Sequence, residues 1–102
     1  MMTVNLSLEN TDLYAGCEIE RVAGRLNLIT PPAQAMNYVG ENIQRIVHQI
    51  PGKDRDVCVL TGAMAIWAYL VVFHAVVHAF REIQYDDGRN ASLVVARHGA
   101  AS

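Results

Sequence analysis

The chain has 102 residues, of which 52% are hydrophobic and 18% charged, with a formal net charge of −2. That is enough for one domain with one core, and too apolar for a disordered segment. The slight acidity excludes a broad basic surface of the kind that binds DNA non-specifically, so an anionic ligand has to be met by a few placed cations.

Residues 1–102 therefore read as a single domain. Apolar content this high in so short a chain leaves more hydrophobic surface than one core absorbs, which favours a homo-oligomer. The start, Met1-Met2-Thr3-Val4-Asn5, has no basic stretch followed by an apolar block. No secretory signal is read, and a cytoplasmic location is expected.

Thr3 to Glu9 alternates with period two, and after Asn10-Thr11-Asp12 a second run extends from Leu13 to Glu20. Two strands about a short polar turn predict a hairpin. Arg21 to Ile29 is ambiguous, and Gly24 weakens any assignment there. Thr30-Pro31 reads as an N-cap followed by a first helical residue. Behind it Met36, Val39, Ile43, Ile46, Val47 and Ile50 recur at helical spacing, up to Pro51-Gly52, so one face of this helix packs and the other is solvated.

Lys53 to Asp56 is a charged loop. Val57-Cys58-Val59-Leu60 is continuously apolar, as expected of a strand buried on both faces. Thr61-Gly62 then turns the chain into a helix predicted from about Ala63 to Phe80, apolar nearly all round. Arg81 to Tyr85 reads as a strand, Asp86 to Asn90 as a turn and Ala91 to Arg97 as the returning strand, with Asp87-Gly88 as the hairpin signal. Cys17 and Cys58 sit in apolar, strand-like runs and read as reduced thiols. The order ββαβαββ predicts an α/β fold with a small mixed sheet, parallel in the middle, and helices against it.

Val57 to Phe80 contains no Asp, Glu, Lys or Arg, long enough to raise a membrane span. Thr61-Gly62 interrupts it, His74 and His78 lie in it, and the flanks show no positive-inside bias, so no membrane is expected.

Three groups could carry chemistry. Leu60-Thr61-Gly62 joins a strand end to a helix, where backbone N–H groups and the helix dipole favour an anion; the same dipeptide also serves as a plain cap. His74 and His78, four apart on a helix, have the spacing of a two-histidine metal site, or are two core or interface histidines. Tyr85-Asp86-Asp87-Gly88-Arg89 puts a carboxylate at a strand end with an arginine three residues later, which suits metal and phosphate work; it also suits a solvated turn. Thr61 and Asp86 should share one edge of the sheet, where open α/β sheets hold ligands.

The run Val59-Leu60-Thr61-Gly62, Ile66-Trp67, His74, His78, Tyr85-Asp86, Leu93-Val94-Val95 and His98 resembles the small stand-alone ring nucleases of type III CRISPR systems. The resemblance covers residues 57–98. It implies a fold related to the CRISPR-associated Rossmann-like domains, a homodimer, and a second dimer closing over the ligand into a higher oligomer. It implies cyclic tetra-adenylate as ligand, and a manganese-dependent phosphodiesterase reaction that opens the ring and ends the antiviral signal. Carried over by position, Thr61 and Gly62 stand in the ligand-binding loop with His74 near it, and His78, Asp86 and Arg89 stand as catalytic residues, Asp86 also as metal ligand. Two departures go with the likeness: Asp86-Asp87-Gly88-Arg89 sets the arginine one residue further off than the family's Asp-Pro-Arg, and Ala63-Met64 stands where an arginine commonly follows the glycine. Two other classes therefore stay open: a protein that binds the ring without cutting it, and a regulator with a His74/His78 metal site.

Overall fold

A computed structural model describes residues 1–89 and 92–98. The strands are β1 (Met2–Asn5), β2 (Ile19–Val22), β3 (Arg25–Leu28), β4 (Val57–Thr61), β5 (Glu82–Asp86) and β6 (Leu93–Arg97), and the helices are α1 (Pro32–His48) and α2 (Ile66–Val76). Four strands form a mixed sheet in the order β1-β4-β5-β6, and β2 and β3 form a separate hairpin. β1 and β5 each run parallel to β4, and β6 returns antiparallel to β5. The expected turn residue Asn90 and strand residue Ala91 lie outside the described residues.

The two parallel crossovers, α1 from β1 to β4 and α2 from β4 to β5, step in the same direction across the sheet. Right-handed crossovers of that kind put both helices on one face, and α1 and α2 pack together there. In-register rows fix which side chains meet them. Met2, Cys58, Ile83 and Ala96 form one row, and Val4, Leu60, Tyr85 and Leu93 the next. Against these rows α1 lays Ala35, Val39, Ile43 and Val47, and α2 lays Ala68, Val72 and Val76, each set at four-residue spacing. The opposite face carries Thr3, Val59, Gln84 and Val94. Burial pushes the Cys58 thiol up to about 12 and raises the half-buried Cys17 thiol as well, which keeps both protonated.

The first thirty residues differ from expectation. The alternation of β1 is real, but its partner is β4, reached through a crossover, and not the segment 13–20. That segment cannot alternate, because the neighbours Leu13 and Tyr14 are both buried. Tyr14 donates its hydroxyl proton to the Leu6 carbonyl, and Asn42 on α1 donates to the carbonyls of Leu13 and Ala15 at 2.8 and 2.9 Å. The loop is thus pinned to α1 through its backbone. The hairpin lies one step later, around Ala23-Gly24, whose φ of 52° and 79° give the doubly left-handed turn that matches strand twist.

Both helices also start later than expected. α1 begins at Pro32, with Pro31 at the cap; the Thr30 hydroxyl accepts the Glu18 N–H at 2.7 Å instead of capping. Met36 points outward. At the other end the Arg55 guanidinium donates to the carbonyls of Val47, in the last turn, and Ile50, just past it, both at 3.0 Å, which ties the helix end to the following loop. α2 spans 11 residues and not the expected 63–80 stretch. No helix among the described residues is long and apolar enough to cross a membrane.

Candidate functional site

β4 and β5 end together. Thr61 and Asp86 are in-register partners at the C-terminal edge of the two central parallel strands. The Thr61 hydroxyl donates to the Asp86 carbonyl at 2.8 Å, so it ties the strand ends and its proton is not free for a phosphate. One carboxylate oxygen of Asp86 accepts the Gly88 N–H, and one of Asp87 accepts the Arg89 N–H, each at 2.8 Å. These short side-chain-to-backbone bonds fix the turn. A cleft of about 320 Å³ lies here, lined by Thr61, Gly62, Ala63, Tyr85, Asp86 and Asp87 with Gly88.

Gly62 is required by packing. Its φ is +103°, and a Cβ there would lie 2.3 Å from Asn5 Oδ1 and 2.9 Å from the Ser7 backbone nitrogen. Its close approach is therefore to β1's own end, not to a ligand. Tyr69 of α2 donates its hydroxyl to the Gly62 carbonyl and stacks edge-on against Tyr85, ring centroids 5.5 Å apart. Gly62 is held from both sides, and Ala63 to Ala65 separate it from the first turn of α2. The positive end of that helix is thus displaced from Thr61-Gly62 by a short loop.

The histidines fall elsewhere. His74 is exposed on α2. His78 lies past the end of α2, in the turn leading to β5, and its ring faces His98 at 5.7 Å, not His74. That turn is at the N-terminal edge of the sheet, where Arg97 pairs with Glu82. Gln84 and Arg97 bond the Glu82 carboxylate and hold its pKa below the usual range. The length of β5, five residues or roughly 13–16 Å, therefore stands between His78 and Asp86. The expected helical two-histidine face is not formed. Among the described residues no three His, Cys, Asp or Glu side chains come together to hold a metal ion. Arg89 is exposed beside the Asp86 turn.

Sequence reasoning missed one part. A second cavity, of about 410 Å³, shares Ala63 with the first in its lining and is lined also by Arg21 and Arg25 of the β2–β3 hairpin, with Ser7 and Glu9. The signal was present in Arg21-Val22-Ala23-Gly24-Arg25, but the hairpin had been assigned one segment too early.

Comparison of the chain with protein-family models, with curated proteins and with solved structures finds no match.

Proposed function

We propose that the chain is a ring nuclease: it binds cyclic tetra-adenylate over the C-terminal edge of β4 and β5 and opens the ring, ending a type III CRISPR signal. The observation that carries this reading is the in-register meeting of Thr61 and Asp86 at a cleft on that edge. It is the position at which open α/β sheets hold ligands, and its residues are those that carry the resemblance to ring nucleases.

Ring opening needs no protein nucleophile, because a ribose 2′-hydroxyl attacks the neighbouring phosphorus in line; the P–O5′ bond breaks as the 2′,3′-cyclic phosphate forms, and the 5′-oxygen leaves as a hydroxyl with a proton from water or His78. The chain's residues hold that geometry and take up proton and charge. Asp86 accepts the hydroxyl proton or holds a divalent ion, manganese in the family resembled. One carboxylate plus substrate phosphates is a usual way to hold such an ion, and Asp86 keeps a second oxygen beyond the one bonded to Gly88. The ion supplies neutralisation of phosphate charge. Arg89 clamps the developing charge from the same turn.

His78 reaches a ring lying on Asp86 only from a second copy presenting its N-terminal sheet edge. Ile66 and Leu70 are 77% and 64% exposed on α2, beside an apolar groove formed by Leu60, Tyr69, Phe73, Tyr85 and Val95. An uncovered apolar face of this kind supports a homodimer.

A second reading, binding without cleavage, is favoured by the separation of His78 from Asp86. Incubating the purified protein with cyclic tetra-adenylate, with and without manganese, decides between them. Linear product is expected. A ring bound tightly but left intact with every divalent metal assigns the chain to sequestration, and an unbound ring removes both readings.

A further inference from the structure

We infer that the β2–β3 hairpin is the phosphate-binding arm of the site, with Arg21 and Arg25 each taking a phosphodiester of the ligand. This rests on the reading that a cyclic oligoadenylate lies on the Thr61–Asp86 edge, and it assigns the side chains that make such binding electrostatically feasible.

The need is set by charge. The cleft at that edge is lined by two carboxylates, Asp86 and Asp87, and by no cationic side chain. A ring of phosphodiesters laid on it alone meets repulsion, and with a net charge of −2 the chain has no general positive field to offset this. Arg89, exposed beside the same turn, and an ion held by Asp86 offset only part of this, so a ring carrying several phosphodiesters draws on cations of a neighbouring element as well. A second cavity, which shares Ala63 with the cleft's lining, supplies two arginines against one carboxylate, Glu9.

Both guanidinium groups are available. Among the described residues the ion pairs use the N-terminal amine, Arg45 and Arg97. Arg21 makes one long bond, 3.4 Å, to the Gly24 carbonyl within its own hairpin. The turn at Ala23-Gly24 brings the two arginines to one end of the ribbon; their register, Arg21 opposite Leu26 and Arg25 opposite Val22, starts them on opposite faces, yet both line the same cavity, and the tip at Gly24 is open, with nothing within 4 Å of a Cβ built there. A planar guanidinium presents paired N–H donors that match two phosphate oxygens.

The test is calorimetric titration of the full chain with cyclic tetra-adenylate and, separately, with inorganic pyrophosphate. It compares wild type with Arg21→Gln/Arg25→Gln and with Arg21→Lys/Arg25→Lys. Each lost charged hydrogen bond costs about tenfold in affinity, so the glutamine pair should bind the ring roughly 100-fold more weakly. The lysine pair should keep most of the affinity, which separates charge from damage to the hairpin. If the glutamine pair has lost the wild-type circular dichroism spectrum, Arg25→Gln alone, at an exposed position, replaces it. Ring affinity unchanged in the folded glutamine variant overturns the hairpin assignment and leaves the ring reading standing. Pyrophosphate bound by wild type and lost in the glutamine pair, with no ring binding at all, supports the phosphate site and removes the ring. Wild type that binds neither overturns both.

Discussion

The two edges of the central sheet differ in what they offer a ligand. At the C-terminal edge the backbone is specialised: Gly62 at positive φ is wedged against β1, Asp86 and Asp87 each close a short turn, and the lining charges are negative. At the N-terminal edge Lys53, Arg55 and Arg81 line a cavity with Asp56, and His78 and His98 lie ring to ring nearby. One edge has the larger cleft, about 320 Å³, with negative lining; the other has a smaller one, about 240 Å³, with positive lining. A polyanionic ligand held at the first edge needs cations beyond Arg89, which on the proposed reading come from the hairpin arginines and from a second copy.

That contrast can be broken at four points. The largest effect is expected for Asp86→Asn, which keeps the oxygen that accepts the Gly88 N–H and removes the charge. Ring cleavage should fall about 10²–10³-fold in single-turnover assays while binding persists, as for loss of one charge-stabilising contact. On the proposed reading, in which the two edges act on one ring from different copies, mixing Asp86→Asn protein with His78→Ala protein should restore part of the rate. No recovery in the mixture would place both groups in one subunit's reaction.

Next is Gly62→Ala, which forces a side chain at φ +103° into Asn5 and Ser7. A loss of about 3 kcal/mol in urea unfolding is expected from the strain and overlap together. A loss below about 0.5 kcal/mol, within the range of ordinary surface changes, would mean the loop re-forms freely. Thr61→Val removes the hydroxyl that reaches the Asp86 carbonyl and should cost about 1 kcal/mol, with Thr61→Ser close to wild type. The smallest effect belongs to the other edge: His78→Ala, at an exposed position, should change stability by no more than about 0.5 kcal/mol.

The meeting of Thr61 and Asp86 was legible in the sequence because each closes a short strand-like segment, Val57 to Leu60 and Arg81 to Tyr85, just before a glycine-containing turn, and parallel neighbours end together. The α/β class was legible for the same reason. The partner of β1 was not: period two reports a half-buried strand but not the strand it pairs with, and β4 lies a whole crossover away. Leu13 and Tyr14 read as strand residues because their hydrophobicity cannot show that the loop's polar backbone is satisfied by Asn42. The helix 63–80 was over-extended since Ala63 to Ala65 and Val77 to Phe80 are as apolar as α2 itself. That error alone put His78 on a helix face with His74, whereas the turn at Val77 carries it to His98.

The most direct measurement is an amide chemical-shift map of the labelled protein titrated with cyclic tetra-adenylate. Shifts centred on Thr61 to Ala63 and Asp86 to Arg89, extending to the Arg21–Arg25 hairpin, are the expected result. Shifts confined to the edge carrying Lys53, Arg55 and Arg81, or no shifts at saturating ring, would contradict the placement of the ligand site.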